Sequence, residues 1–223
     1  IKTKFKSILS PFPRTNHPQK VFWKEKKMWL LKIVFIFMIS GNMKDDPALE
    51  KAILGGGCFW CTEAVFTQVK GVHRVTPGYS GGITENPSYE AVCSGETGHA
   101  EVIEILFDPS LVSYGQLLEI FFRSHDPTSL NRQGADIGTQ YRSVLYYTTP
   151  EQEKTAQTLI ERFDNEGIFS SPIVTEIKAF DRFFPAEAYH HQYFSRNKGK
   201  PYCQIVIQPK WNKFRKDFPD LLK

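Results

Sequence analysis

Three consecutive glycines, Gly55-Gly56-Gly57, stand between the short apolar run Lys51-Ala52-Ile53-Leu54 and a segment, 59–69, whose Phe59, Val65, Phe66 and Val69 can share one helical face. Residues without Cβ reach backbone angles closed to others and let a neighbouring group approach closely. The run therefore reads as a tight strand-to-helix junction, with a strand at 51–56 and a helix opening directly after it. Cys58 occupies that opening. A helix start offers unpaired N–H groups and partial positive charge, which favour a thiolate, the nucleophilic form of cysteine. Phe59 and Trp60 can lay apolar surface beside the sulfur, suited to a small apolar group such as a methyl on sulfur. The competing reading is a buried, inert cysteine. Cys61 completes a C-x-x-C with Cys58 and tilts the balance toward redox chemistry.

Further elements follow from pattern. A strand is expected over 71–79, ending in the turn-rich Gly78-Tyr79-Ser80-Gly81-Gly82, with a polar loop carrying Asn86-Pro87-Ser88-Tyr89 after it. Residues 99–107 (HAEVIEILF) make the clearest strand, apolar on both faces as a central strand is. Ser113 with Gln116 three positions on forms a capping box for a helix over 113–124. A long loop, 125–141, leads to a strand at 142–149. Thr149-Pro150 caps a helix to about Asp164 with proline in its first turn. A strand at 173–180, a short helix opening at Pro185-Ala186-Glu187 and an irregular tail complete the order. Strand–helix–strand twice, with additions, predicts an α+β chain: a ferredoxin-like split β-α-β sandwich with extra helices, strands and an irregular C-terminal tail. In the simplest form of that topology the first and third strands are taken as parallel neighbours, which sets Cys58 and Glu101 at opposite ends of the sheet and calls for an elaborated pairing.

The net charge of +4 is unevenly placed. Residues 1–43 hold nine basic residues against one acidic (Glu25), while the remainder holds 19 basic and 23 acidic. No basic run in that remainder suits nucleic acid. Residues 1–43 are expected to lie outside the fold, as one of two things. Residues 28–40, with the apolar WLLKIVFIFMI at 29–39, resemble the charged region and short apolar core of a secretory signal; alternatively the segment is upstream sequence not normally translated, with Met43 as the start. The first alternative implies an exported or membrane-anchored protein, the second a cytoplasmic one; cytoplasmic is the reading preferred. Residues 44–223 are expected to form one catalytic domain, monomeric and with no membrane contact. The chain is long enough to build a core without disulfide staples, so Cys58, Cys61, Cys93 and Cys203 read as free or redox-active thiols.

The segments GGGCFWC, NPSYEAVCSGETGHAEV, DPTSLNRQGADIGTQYRSVLYY, AEAYHHQYF and PYC, in that order, closely resemble the A-type peptide methionine sulfoxide reductases, over residues 51–208. The resemblance implies a fold and a chemistry: reduction of the S epimer of methionine sulfoxide, free or in proteins. Cys58 attacks the sulfoxide sulfur. Glu101 supplies the proton that the sulfoxide oxygen needs, which requires a raised pKa. Tyr89 and Tyr141 hold that oxygen, and Asp136 matches the family's active-site aspartate. Phe59 and Trp60 line the substrate pocket. Cys58 is left as a sulfenic acid, Cys203 condenses with it to a disulfide, and thioredoxin or a similar dithiol resets the enzyme. No cofactor and no metal are implied. Cys61 departs from the commonest pattern, in which glycine stands here. It can attack the sulfenic acid first and pass the disulfide to Cys203, or be a passive small residue.

Other residues carry blander readings. Cys93 is expected to be structural. His190 and His191 tempt as metal ligands or a base but are expected to pack or bond within a helix at 185–195. His99 and His125 have no derivable role, Phe121-Phe122 and Phe183-Phe184 read as core, and Arg142 could bond carboxylates of the preceding loop. Two rival functions stand beside the reductase: a metal module built on Cys58, Cys61, Cys93 and His99, and a general thiol–disulfide oxidoreductase resting on C-x-x-C alone.

Overall fold

Residue 54 and its neighbours set the architecture. Ala52, Ile53 and Leu54 are fully buried on both faces of strand β1 (Glu50–Gly56), which marks it as central. The computed structural model describes residues 48–223; the expected leader at 1–43 lies outside them. From β1 the chain enters helix α1 (Phe59–Phe66), returns as β2 (Val72–Ser80), makes the one-turn helix α2 (Tyr89–Cys93) and crosses back as β3 (Ala100–Phe107). Helix α3 (Tyr114–Ser124) opens with the Ser113–Gln116 capping box, both reciprocal bonds present. The long loop contains a two-residue hairpin, β4 (Arg132–Gln133) and β5 (Asp136–Ile137), and a 3-10 turn, Thr139–Tyr141. Strand β6 (Ser143–Tyr147), helix α4 (Pro150–Asn165), β7 (Glu176–Ala179) and β8 (Phe183–Pro185) follow.

Among the described residues six strands form one sheet in the order β7-β6-β1-β3-β2-β8. Its four inner strands, β6-β1-β3-β2, have the arrangement of the split β-α-β sandwich, so the α+β expectation is met, with β7 and β8 as edge additions. The assumed parallel pairing of first and third strands is corrected. β1 and β3 are antiparallel, with Leu54 opposite Ile103 and Ile53 opposite Glu104. The C-terminal end of β1 thus lies beside the start of β3, and Cys58 and Glu101 fall at the same end. The conflict came from assigning the wrong direction to that pair. Among the described strands only β6 and β7 pair in parallel.

Beneath the sheet, α1, α3 and α4 bury Phe59, Phe66, Leu117, Leu118, Phe121, Phe122 and Phe163 in one core. Each such side chain contributes about 1.5–3 kcal/mol relative to an exposed one. Phe184 is half-buried and packs onto it from the sheet edge, while half-buried Phe183 packs on a separate cluster of Ile53, Ala100, Val102, Val144 and Tyr146. The expected helix at 185–195 is instead a 3-10 turn, Ala188–His190, then a four-residue helix α5 (Tyr193–Arg196), interrupted at Gln192 in the left-handed region (φ 53°). The C-terminal stretch, irregular to about residue 200, then winds into a π-helical turn, Cys203–Ile207, and helix α6 (Gln208–Asp217). Ile207 and Phe214 anchor that helix in the core.

Candidate active site

Cys58 is the N-cap residue of α1, reached through Gly57 at φ +86°. A Cβ at Gly57 would sit 2.6 Å from Gln133 Cβ, so the turn closes directly against the β4 strand of the long loop. Gln133 is buried there and holds the loop by bonding both the N–H and the carbonyl of Asp126. At Gly55 a Cβ would lie 2.9 Å from the Glu101 carbonyl oxygen, because β1 and β3 touch without intervening side chain. The glycine run thus serves two close approaches, one to the acid's strand and one to the loop.

Glu101 is 1% exposed, and its Oε2 accepts the first N–H of α1, from Phe59 at 2.9 Å. Burial pushes its pKa up to about 8, the Phe59 N–H opposes this, and the nearby charge of Asp136 adds to it. The carboxyl is thus mostly protonated at neutral pH. The donor at the helix start is spent on this carboxylate rather than on the sulfur. Burial, the hydrogen bond to Cys61 and the charge of Glu101 push the Cys58 thiol well up. The expected resting thiolate at Cys58 is therefore not what this environment favours: desolvation outweighs the helix start. Cys61 is lowered, chiefly by the bond that Cys58 gives it, so the shared proton rests on Cys58.

Cys58, Cys61 and Cys203 belong to one buried apolar cluster with Ala64, Phe194 and Ile207, bordered by Trp60, Tyr141, Tyr193 and Tyr202. Cys203 is fully buried in its π-helical turn, and all three thiols are free. The Tyr202 hydroxyl touches both Cys58 and Cys61 and donates to Asp136 Oδ2 at 3.0 Å. Asp136 is thereby tied to the thiol cluster. Tyr89 and Tyr141 are half-buried and close enough to Glu101 for its charge, after burial, to raise both phenols. Phe59 lies against the Tyr89 ring, 6.5 Å between centroids, and Trp60 stacks on Tyr193 at 3.6 Å and 4°. A protonated carboxyl, phenol hydroxyls and a thiol thus meet beside an aromatic wall. Such a set can donate a proton to an oxygen while a sulfur attacks the atom bearing it.

A family model for peptide methionine sulfoxide reductase matches residues 50–222. The chain belongs to that family.

A relative from Sulfolobus acidocaldarius, peptide methionine sulfoxide reductase MsrA, is 55% identical over 172 residues, covering 77% of this chain and 97% of its own. The MsrA of Chromobacterium violaceum is 54% identical over 175 residues, covering 78% and 99%. Among solved structures, methionine sulfoxide reductase A of Corynebacterium diphtheriae aligns with TM-score 0.65 at 34% identity, over 71% of this chain and 79% of that one. Yeast Mxr1 in reduced form aligns with TM-score 0.64 at 32% identity, over 73% and 94%. The chain is an oxidoreductase of methionine sulfoxide.

Cys93 lies beside the Tyr89 hydroxyl, which bonds its sulfur. His99 is committed at both nitrogens: Nδ1 accepts from the Gly82 N–H at 3.0 Å, and Nε2 donates to the Thr84 carbonyl at 2.8 Å. That takes it out of the four-residue metal module. His190 is fully buried; it packs locally against the Tyr189 ring, 4.2 Å between centroids, and its Nδ1 also accepts the distant Trp60 indole N–H at 3.0 Å, while His191 bonds locally through Nε2 to the Ala186 carbonyl at 3.0 Å. Arg142 bonds Glu176 on β7, the Thr139 and Gly98 carbonyls and the Tyr146 hydroxyl; the expected pairing with loop carboxylates is corrected, since β6–β7 pairing brings Glu176 nearer. The sequence reading passed over Tyr202, Glu187 and Glu63. Tyr202 was signalled by its place in Pro201-Tyr202-Cys203. Glu187, which accepts from the Tyr79 hydroxyl and the Tyr89 N–H, and Glu63 had only their charge in apolar surroundings to mark them.

Proposed function

We propose that this chain reduces the S epimer of methionine sulfoxide, free or in proteins, through a Cys58 sulfenic acid and an intramolecular disulfide reset by thioredoxin. The observation that carries the mechanism is Glu101, a buried carboxyl kept protonated near neutral pH and bonded to the first N–H of the helix that Cys58 opens. Tyr89 and Tyr141 hold the sulfoxide oxygen, and the Phe59–Trp60 wall takes the methyl. As Cys58 Sγ bonds to the sulfoxide sulfur, Glu101 gives its proton to the oxygen. The Cys58 thiol proton passes to the same oxygen, whose bond to the substrate sulfur breaks as it leaves as water. A water then adds at Cys58 Sγ, and the bond between Cys58 Sγ and the methionine sulfur breaks with its electron pair going to methionine. The proton that this water gives up re-protonates Glu101, leaving Cys58 as the sulfenic acid. Asp136 holds Tyr202 against the thiols. The Cys203 thiol then displaces water from the sulfenic acid to form a Cys58–Cys203 disulfide, which an external dithiol reduces by exchange. The protein's own groups supply every step up to the disulfide and the external dithiol the last, so no cofactor or metal is invoked.

The catalytic unit is residues 44–223, acting as a monomer in the cytoplasm. Among the described residues no helix is long and apolar enough to cross a membrane.

The test is a set of cysteine variants given each sulfoxide epimer separately. Cys58→Ser is expected to abolish turnover of the S epimer, and full activity would sink the reading. Cys203→Ser should complete one turnover and then stall with thioredoxin. Mass mapping after one turnover of the unaltered chain should find Cys58 joined to Cys203. A Cys58–Cys61 bridge at that stage would make Cys61 the first resolver, which its place within the same buried cluster allows. Turnover of the R epimer at a similar rate would remove the stereochemical part.

A further inference from the structure

Glu63 stands five residues beyond Cys58 on α1 and takes no part in the reaction above. Its side chain is buried, with the residue 2% exposed, yet no cation among the described residues lies within ion-pair distance, His191 and Arg196 acting on it only at longer range. An unpaired buried carboxylate is costly unless hydrogen bonds replace its hydration. Glu63 has two, both from backbone far along the chain: Oε1 accepts from the Gln192 N–H at 2.7 Å and Oε2 from the Tyr193 N–H at 3.3 Å. These are donors at the start of α5, which has no side-chain cap of its own. Gln192 there holds φ 53° and ψ 35°, a conformation that a non-glycine residue keeps only when its surroundings impose it. The residue that follows is Tyr193, whose ring lies flat on Trp60 at 3.6 Å. Trp60 is carried by the same helix as Glu63, so α1 holds both halves of the stacked pair: the indole directly and the phenol through Glu63.

We propose that Glu63 is a positioning residue of the sulfoxide pocket: its carboxylate clamps the Gln192–Tyr193 backbone and thereby sets the Tyr193 ring that backs Trp60. This rests on the reading of Phe59 and Trp60 as the wall that receives the substrate methyl. The clamp acts on the pocket and not on the sulfur or the acid, so binding and chemistry should separate when it is removed.

The experiment uses the full chain with the S epimer of methionine sulfoxide and dithiothreitol as reductant, which leaves the recycling partner out. Glu63→Ala is expected to raise KM about tenfold, the loss of one or two hydrogen bonds to a charged acceptor. Glu63→Gln keeps one acceptor at the same volume and should raise KM by a smaller factor. The single-turnover rate at saturating sulfoxide should stay within about twofold of the unaltered chain in both, because the reacting groups are untouched. The indole N–H resonance of Trp60, assigned by its loss in Trp60→Leu, should move in Glu63→Gln and further in Glu63→Ala. An unchanged KM, a fall in the saturating rate at constant KM, or an unmoved indole resonance would each overturn the proposal. Should Glu63→Ala fail to fold, Glu63→Gln decides on the same readings. Trp60→Leu separates the two layers. If it leaves KM unchanged, the pocket reading fails; if it raises KM while Glu63→Gln and Glu63→Ala do not, only the clamp fails.

Discussion

A carboxyl that is to give up a proton at neutral pH has to be kept from ionising beforehand, and the proposed mechanism gives that part to Glu101. It is buried, no cation among the described residues faces it, and the Phe59 N–H is its hydrogen-bond partner, so desolvation wins and its pKa rises to about 8. Glu101→Gln keeps shape and the Phe59 contact but has no acidic proton to give. The single-turnover rate of sulfoxide reduction is expected to fall by about 10²–10⁴-fold with little change in KM, as for loss of a general acid. In the unaltered chain that rate should be flat toward acid and decline as pH rises through about 8, where Glu101 loses its proton. Stopped-flow measurement of the first turnover across pH reads both, and a rate that rises through this range would assign the acid elsewhere.

At the scale of the element, the junction of β1 and α1 does the positioning. Gly57 combines a left-handed backbone with the close approach of Gln133, so two independent penalties meet any side chain there. Gly57→Ala is expected to destabilise the protein by about 2–4 kcal/mol, from the strained backbone and the displaced loop together. Because Gln133 holds the loop that leads to Asp136 and Tyr141, activity should fall beyond what the fraction folded explains. Denaturant titration beside single-turnover assays checks this; a variant as stable as the original would show that the loop yields freely.

Across the whole molecule two buried groups set opposing pH dependences. Glu101 has a folded pKa, about 8, above its unfolded one, so between about pH 4.5 and 8 the folded state binds more protons and stability falls as pH rises. His125, buried between the Phe121 carbonyl and Ser143, has its pKa pushed down to about 4 by burial. Between about pH 4 and 6.5 the unfolded state binds the extra proton, and stability rises with pH. The two slopes oppose each other at the acid side; between about pH 6.5 and 8 the Glu101 decline remains, set against an opposite slope from Cys61, whose thiol is lowered by the bond from Cys58. Thermal unfolding is expected to show that decline in the unaltered chain and to lose it in Glu101→Gln.

The sequence by itself determined the elements and the family. Glycine punctuation, the capping box at Ser113–Gln116, the Thr149-Pro150 helix start and the buried run of β3 are local signals, and each produced an element within about a residue or two of its expected bounds. The ordered motifs named the family and singled out Cys58, Glu101, Tyr89, Tyr141, Asp136 and Cys203, and the fold gathers these around one thiol cluster and one carboxyl. Strand direction, protonation and support belonged to the tertiary structure. The antiparallel pairing of β1 with β3 brings Glu101 to Cys58. Desolvation then keeps the proton on both Glu101 and Cys58, against the pull of the helix start. Glu63, His190 and Tyr202 act through partners more than 60 residues away. Such couplings depend on which backbone donors and rings the fold brings against a side chain, and no spacing along the chain encodes them.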